Sequence, residues 1–243
     1  MSFGTNQGGY GQPAGAPGMG GMGVVRQGAQ VQGAFLTQAF FWMFAGLLLT
    51  AAVAALTQFN EGLRQFTREN FLIMVIGLFA LAIGIQAGIN RLNPTVALGA
   101  FFVYAAAIGL VVGLIVSVYA RESVVTAFLS ASAMFGAAGL YGYTTKRSLA
   151  GIGGMAYMGM WGLFVAIAVN WFLGSSPLGY IIAIIGVVIF TILTAWDVQR
   201  ISAGDLVAQT GSVEKAAVLG AIHLYIDFIN LFLFLLRIFG DRD

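Results

Sequence analysis

The sequence predicts an all-α polytopic membrane protein of seven transmembrane helices. Three observations carry that prediction. Hydrophobic residues make up 59% of the 243 residues and charged residues only 8%, whereas the surface of a soluble domain needs roughly a quarter of its residues charged. Seven apolar runs each come close to the roughly 20 residues that a spanning helix requires. The charges fall between these runs rather than along one face of each, as they do in loops at membrane edges.

The runs lie near Ala34–Leu56, Phe71–Ile89, Val96–Val118, Val124–Tyr143, Met155–Leu173, Leu178–Trp196 and Ala216–Phe239. Helices are expected because a segment in lipid must satisfy its own backbone hydrogen bonds, and the runs are too continuous for the short alternating strands of a barrel. Between them, 58–70 carries Glu61, Arg64, Arg68 and Glu69, and 90–94 carries Arg91 and the turn pair Asn93-Pro94. Arg121-Glu122, Lys146-Arg147 and Gly174-Ser175-Ser176-Pro177 mark the next three breaks, and the longest loop is expected after Asp197. Small residues crowd the fourth run, from Ser130 to Gly139, and would let helices approach backbone to backbone.

Residues 1–33 hold eleven glycines, one Arg (Arg26) and no acidic residue or continuous apolar core. They read as a disordered, glycine-rich tail without the pattern of a cleavable signal peptide, ahead of a transmembrane domain over 34–243. With an odd number of spans, the N-terminal side collects Arg26, Arg91, Lys146, Arg147, Arg200 and Lys215, against Arg64, Arg68, Arg121, Arg237 and Arg242 opposite. The positive-inside rule therefore leans towards a cytoplasmic N-terminus.

Composition excludes several functions. No basic block interleaves with aromatics for nucleic acid. With one histidine and no cysteine, disulfides, thiol chemistry and zinc sites are excluded. No glycine loop stands between a strand and a helix for a nucleotide. Lys146 and Lys215 lie in loops, which leaves no lysine deep in a helix for retinal. The Gly-x-Gly-Asp context of aspartyl intramembrane proteases is missing, and neither an enzyme activity nor a cofactor is expected.

Asp227 is the residue that composition cannot explain. It sits about 11 residues from either end of its run, so about 16 Å of helix separates it from each surface. An ionised Asp there costs on the order of 2.5–3.5 kcal/mol by insertion scales, and such residues mark ion or proton paths. Asp197, closing the sixth run, is its natural partner. Two carboxyls brought together share a proton and titrate as a unit, and once deprotonated they offer oxygens to a hard cation such as Ca²⁺. His223 lies one turn before Asp227 on the same face and could tune the response to pH. Asn230, three residues beyond, is a candidate for the same neighbourhood, and Arg237 is expected to snorkel to the interface.

The last run, Leu224-Tyr225-Ile226-Asp227-Phe228-Ile229-Asn230 through Leu236-Arg237-Ile238-Phe239-Gly240, closely resembles the final helix of the Bax-inhibitor (transmembrane Bax-inhibitor motif) family. Ala195-Trp196-Asp197-Val198-Gln199-Arg200-Ile201 resembles the end of its sixth helix, where Tyr is usual in place of Trp. Tyr143 to Leu149 resembles its fourth-to-fifth connection. The resemblance implies a seven-helix fold with the seventh helix central, and a pH-dependent Ca²⁺ leak governed by the aspartates matching Asp197 and Asp227. It also implies a basic latch on the second helix, for which Arg91 is the nearest candidate. Two residues depart from the pattern. Ser148 replaces a common acid, and His223 replaces a small polar residue. The resemblance and the short loops point to a bacterial inner-membrane member. A regulatory role, through partnership with a membrane-bound AAA protease or in a stress response, is the alternative that the resemblance implies.

Overall fold

The computed structural model describes residues 19–240, with side chains from residue 35 onward. These residues form nine α-helices: α1 (Met19–Phe59), α2 (Glu61–Glu69), α3 (Phe71–Gly88), α4 (Pro94–Val116), α5 (Arg121–Thr144), α6 (Ala150–Leu173), α7 (Ser176–Ala203), α8 (Asp205–Thr210) and α9 (Val213–Phe239). Seven are long and apolar enough to cross a membrane: α1 from Phe35, then α3, α4, α5, α6, α7 and α9. The tail expected over 1–33 lies outside the described residues as far as residue 18, and α1 begins at Met19.

The breaks are built as the turn residues predict. Asn93 caps α4 by accepting the Thr95 N–H at 3.0 Å, with Pro94 in the first turn, where its missing N–H costs nothing. Gly174 ends α6 in the left-handed conformation, and Ser175 caps α7 by accepting the Leu178 N–H at 3.3 Å. Two breaks contain more structure than expected. The stretch after Phe59 folds into α2, capped by Asn60, whose side chain accepts the Leu63 N–H at 3.1 Å. There the half-buried Arg64 pairs with the exposed Glu61 and holds its carboxyl below the usual range. The loop expected immediately after Asp197 starts later, because α7 continues to Ala203 and ends at Gly204, left-handed at φ 82°. Asp197 is therefore a helix-interior residue rather than a helix end.

The seventh span, α9, is the most enclosed: 78% of its apolar window is buried, against 44% for α7 and 17% for α3 and α6. It packs against α1, α4, α5 and α7, while α3 rests mainly on α4 and α6 on α7. Hydrophobicity alone cannot drive this order, because lipid tails solvate Leu and Phe as well as neighbouring helices do. Close approach at small residues directs it. Gly109 fits against Thr50 and Val53, Gly142 against the Ala195 backbone, Gly186 against Phe234 and Gly220 against Ile201. The last two pairs set the antiparallel register of α7 on α9. Of the small residues in α5, Ala127, Ala131, Ala138, Gly139 and Gly142 face inward at helical spacing, whereas Gly136 and Ala137 are exposed.

Candidate functional site: a buried carboxyl pair between α7 and α9

The α7–α9 register places Ile201 opposite Gly220 and so brings Asp197 beside the His223–Asp227 turn. Asp227 neighbours Asp197 across the α7–α9 interface, and both residues are buried. Asp197 is about 9 Å of helix from the α7 C-terminus at 1.5 Å per residue. The pair thus lies nearer the end of the bundle where α3, α5 and α7 finish and α4, α6 and α9 begin.

Two basic side chains gather beside Asp197. The Arg200 Nη1 lies 3.5 Å from Asp197 Oδ1, and its guanidinium sits 4.8 Å over the Trp196 ring, a stacking that a planar cation favours. The His223 Nδ1 lies 3.6 Å from the same oxygen. On the other side, Asp227 Oδ2 is buried without a hydrogen-bond partner. A buried carboxylate oxygen left unpaired is costly, and protonation of the carboxyl removes that cost.

The expected site residues divide accordingly. Asp197, Asp227 and His223 are brought together. Asn230 turns away and donates to its own helix, to the Ile226 carbonyl at 2.8 Å. Arg91 is exposed in the α3–α4 connection, its N–H bonded to Gly88 O, and the basic side chain against the pair is Arg200 from α7. From the second span it is Gln86 that reaches inward, its Oε1 3.1 Å from His223 Nε2. Sequence reading passed Gln86 by, although it is the one polar residue within Phe71–Gly88. Gln199 was likewise overlooked as a contact. It accepts the Leu149 N–H at 2.8 Å and donates to Arg147 O at 2.9 Å, tying the α5–α6 connection to the Asp197 segment. The three stretches that carried the family resemblance therefore meet around the Asp197 segment.

A second polar contact holds the bundle beyond the pair. Thr50 of α1 donates to Ala105 O of α4 at 2.9 Å and accepts from the Tyr225 hydroxyl of α9 at 2.6 Å. Its one proton is committed to the carbonyl, so the tyrosine must be the donor. Among the described residues, no group of three or more His, Cys, Asp or Glu could hold a metal ion.

Seven spans, the last of them the most enclosed, with a carboxyl pair buried between two of them, define a class of polytopic membrane protein. The family model described as "Inhibitor of apoptosis-promoting Bax1" matches residues 32–243, and the chain belongs to the Bax-inhibitor family. It is 42% identical to the inner membrane protein YbhL of Escherichia coli over 86% of this chain and 92% of that one. It is 37% identical to a protein of Borreliella burgdorferi over 89% and 96%, and 40% identical to one of Deinococcus radiodurans over 86% and 91%. All three of these relatives are bacterial, and the Escherichia coli one is named an inner membrane protein.

Proposed function

We propose that the chain is a pH-sensitive Ca²⁺ leak channel of the bacterial inner membrane, gated by the Asp197–Asp227 pair. The observation that carries the reading is the juxtaposition of two buried carboxyls on neighbouring helices, with one oxygen left unpartnered. When the pair shares a proton, the contact is attractive and holds α7 to α9. When that proton leaves, two unit charges at about 4 Å repel by on the order of 4 kcal/mol at an effective dielectric of 20. That is enough to part helices whose packing competes with lipid. The opened gap presents carboxylate oxygens to a cation. Ca²⁺ takes 6–8 oxygens and the pair supplies at most four, so the ion passes partly hydrated and is the cargo rather than a resident group. With the N-terminus cytoplasmic, the pair lies towards the cytoplasmic end of the bundle.

The test is Ca²⁺ flux into proteoliposomes from mildly acidic to mildly basic pH, for the wild type, Asp197→Asn and Asp227→Asn. Flux that rises with pH, with a profile altered in both variants, is expected. No flux above empty liposomes with all three proteins folded would sink the channel reading. It would leave modulation of a membrane-bound AAA protease as the better account.

A further inference from the structure

The Asp pair has a neighbour that the proposed gate does not use. His223 is the chain's single histidine, and its two ring nitrogens face different helices. The orientation of the ring is over-determined. Gln86 Nε2 donates to Ala82 O at 3.1 Å, which turns Gln86 Oε1 towards the imidazole. An amide oxygen can only accept, so His223 Nε2 must carry a hydrogen. In the neutral ring Nδ1 is then a bare lone pair. This atom is buried, has no hydrogen-bond partner and stands 3.6 Å from Asp197 Oδ1. The nitrogen lone pair and a carboxyl oxygen thus face each other.

We infer that Gln86 is a positioning residue that holds His223 as a second proton acceptor of the gate, clamping α3 to the α7–α9 pair when Nδ1 is protonated. The inference rests on the reading of the pair as a gate. A proton taken from solution binds Nδ1 and bridges it to Asp197 Oδ1, while Nε2–H remains on Gln86. One ring then links three helices. The link falls on a weakly held element, because the α3 backbone packs mainly on α4. Just beyond α3, the Lys215 ammonium of α9 donates to Asn90 O of the α3–α4 connection at 2.8 Å.

The charged groups around the imidazole are few. Asp197 and Arg200 face it from α7, and Asp227 lies one turn along α9. The described side chains of α1 and those of α4 include no Asp, Glu, Lys or Arg, and in α5 the charges are Arg121 and Glu122 at the far end. Asp205 of α8 is exposed. The proton on Nδ1 is therefore decided by Asp197, Asp227 and Arg200, with Gln86 setting the nitrogen it must choose.

A single histidine makes the test direct. Histidine-¹⁵N NMR of the full chain in lipid nanodiscs reads tautomer and protonation across about pH 5 to 8. The neutral wild type is expected to be wholly Nε2–H. Gln86→Leu is expected to lose that preference, and Gln86→Glu, which keeps an acceptor, to retain it. The acidic wild type is expected to show a hydrogen-bonded Nδ1–H that disappears in Asp197→Asn, a variant that does not disturb Gln86. In flux, His223→Asn is expected to keep a response to Asp227→Asn but to have a pH profile different from that of the wild type. A neutral Nδ1–H tautomer, a tautomer indifferent to Gln86→Leu, or an unchanged His223→Asn profile would each overturn the inference. Absence of flux in every protein, with the tautomers as expected, would instead defeat the channel reading and leave the Gln86–His223–Asp197 bridge standing.

Discussion

At the scale of the residue, what matters is which polar atoms are paired. Asp227 Oδ2 has no partner to lose, and an amide at this position can donate to Asp197. Asp227→Asn is therefore expected to fold with stability within about 1 kcal/mol of wild type in detergent unfolding, while its flux profile changes. A large loss of folded protein would instead make the pair a structural pin. Around Thr50 the opposite holds, because every atom of the contact is engaged. Thr50→Val and Tyr225→Phe are each expected to cost about 1 kcal/mol. Since both remove the same bond, the double variant should cost clearly less than their sum in a double-mutant cycle.

At the scale of the element, the decisive contacts are those where backbones touch. A Cβ on Gly142 of α5 would run into the Ala195 carbonyl of α7, and neither atom is the end of a flexible side chain. A Cβ on Gly136, two turns away on the same helix, would meet nothing within 4 Å. Gly142→Ala is expected to destabilise by about 1–3 kcal/mol or to abolish folded protein, as overpacking does. Gly136→Ala should be neutral or slightly stabilising, since Ala is the better helix former. Equal melting temperatures for the two variants would refute the close α5–α7 approach that sets Asp197 in place.

Over the whole molecule, burial sorts side chains by whether they face protein or lipid. Phe101 is fully buried against Tyr225 and packs over Gly46, whereas Phe172 on α6 is 89% exposed. Phe101→Ala is expected to cost about 3–5 kcal/mol through the cavity it leaves. Phe172→Ala should change stability by less than about 0.5 kcal/mol, because a lipid-facing ring is replaced by lipid. Unfolding of both in the same detergent checks this. Comparable losses would mean that α6 is covered by another protein surface rather than by lipid.

The sequence by itself determined the class and the punctuation. Charge depletion and unbroken apolar length suffice to require spanning helices, and capping groups at Asn93, Gly174 and Ser175 act within a few residues of themselves. The buried acid at Asp227 was equally legible, because a charge deep in an apolar run stands out without any knowledge of packing. What tertiary structure alone decided was the partners. A membrane helix is apolar all round, so its pattern does not say which face meets protein. The inward stripe of α5, the choice of Arg200 over Arg91 and the turning away of Asn230 were therefore hidden. So was Gln86, visible as a lone polar residue but silent about its partner. His223 and Asp197 stand 26 residues apart in the chain, and only the register imposed by Gly186 and Gly220 against Phe234 and Ile201 makes them neighbours.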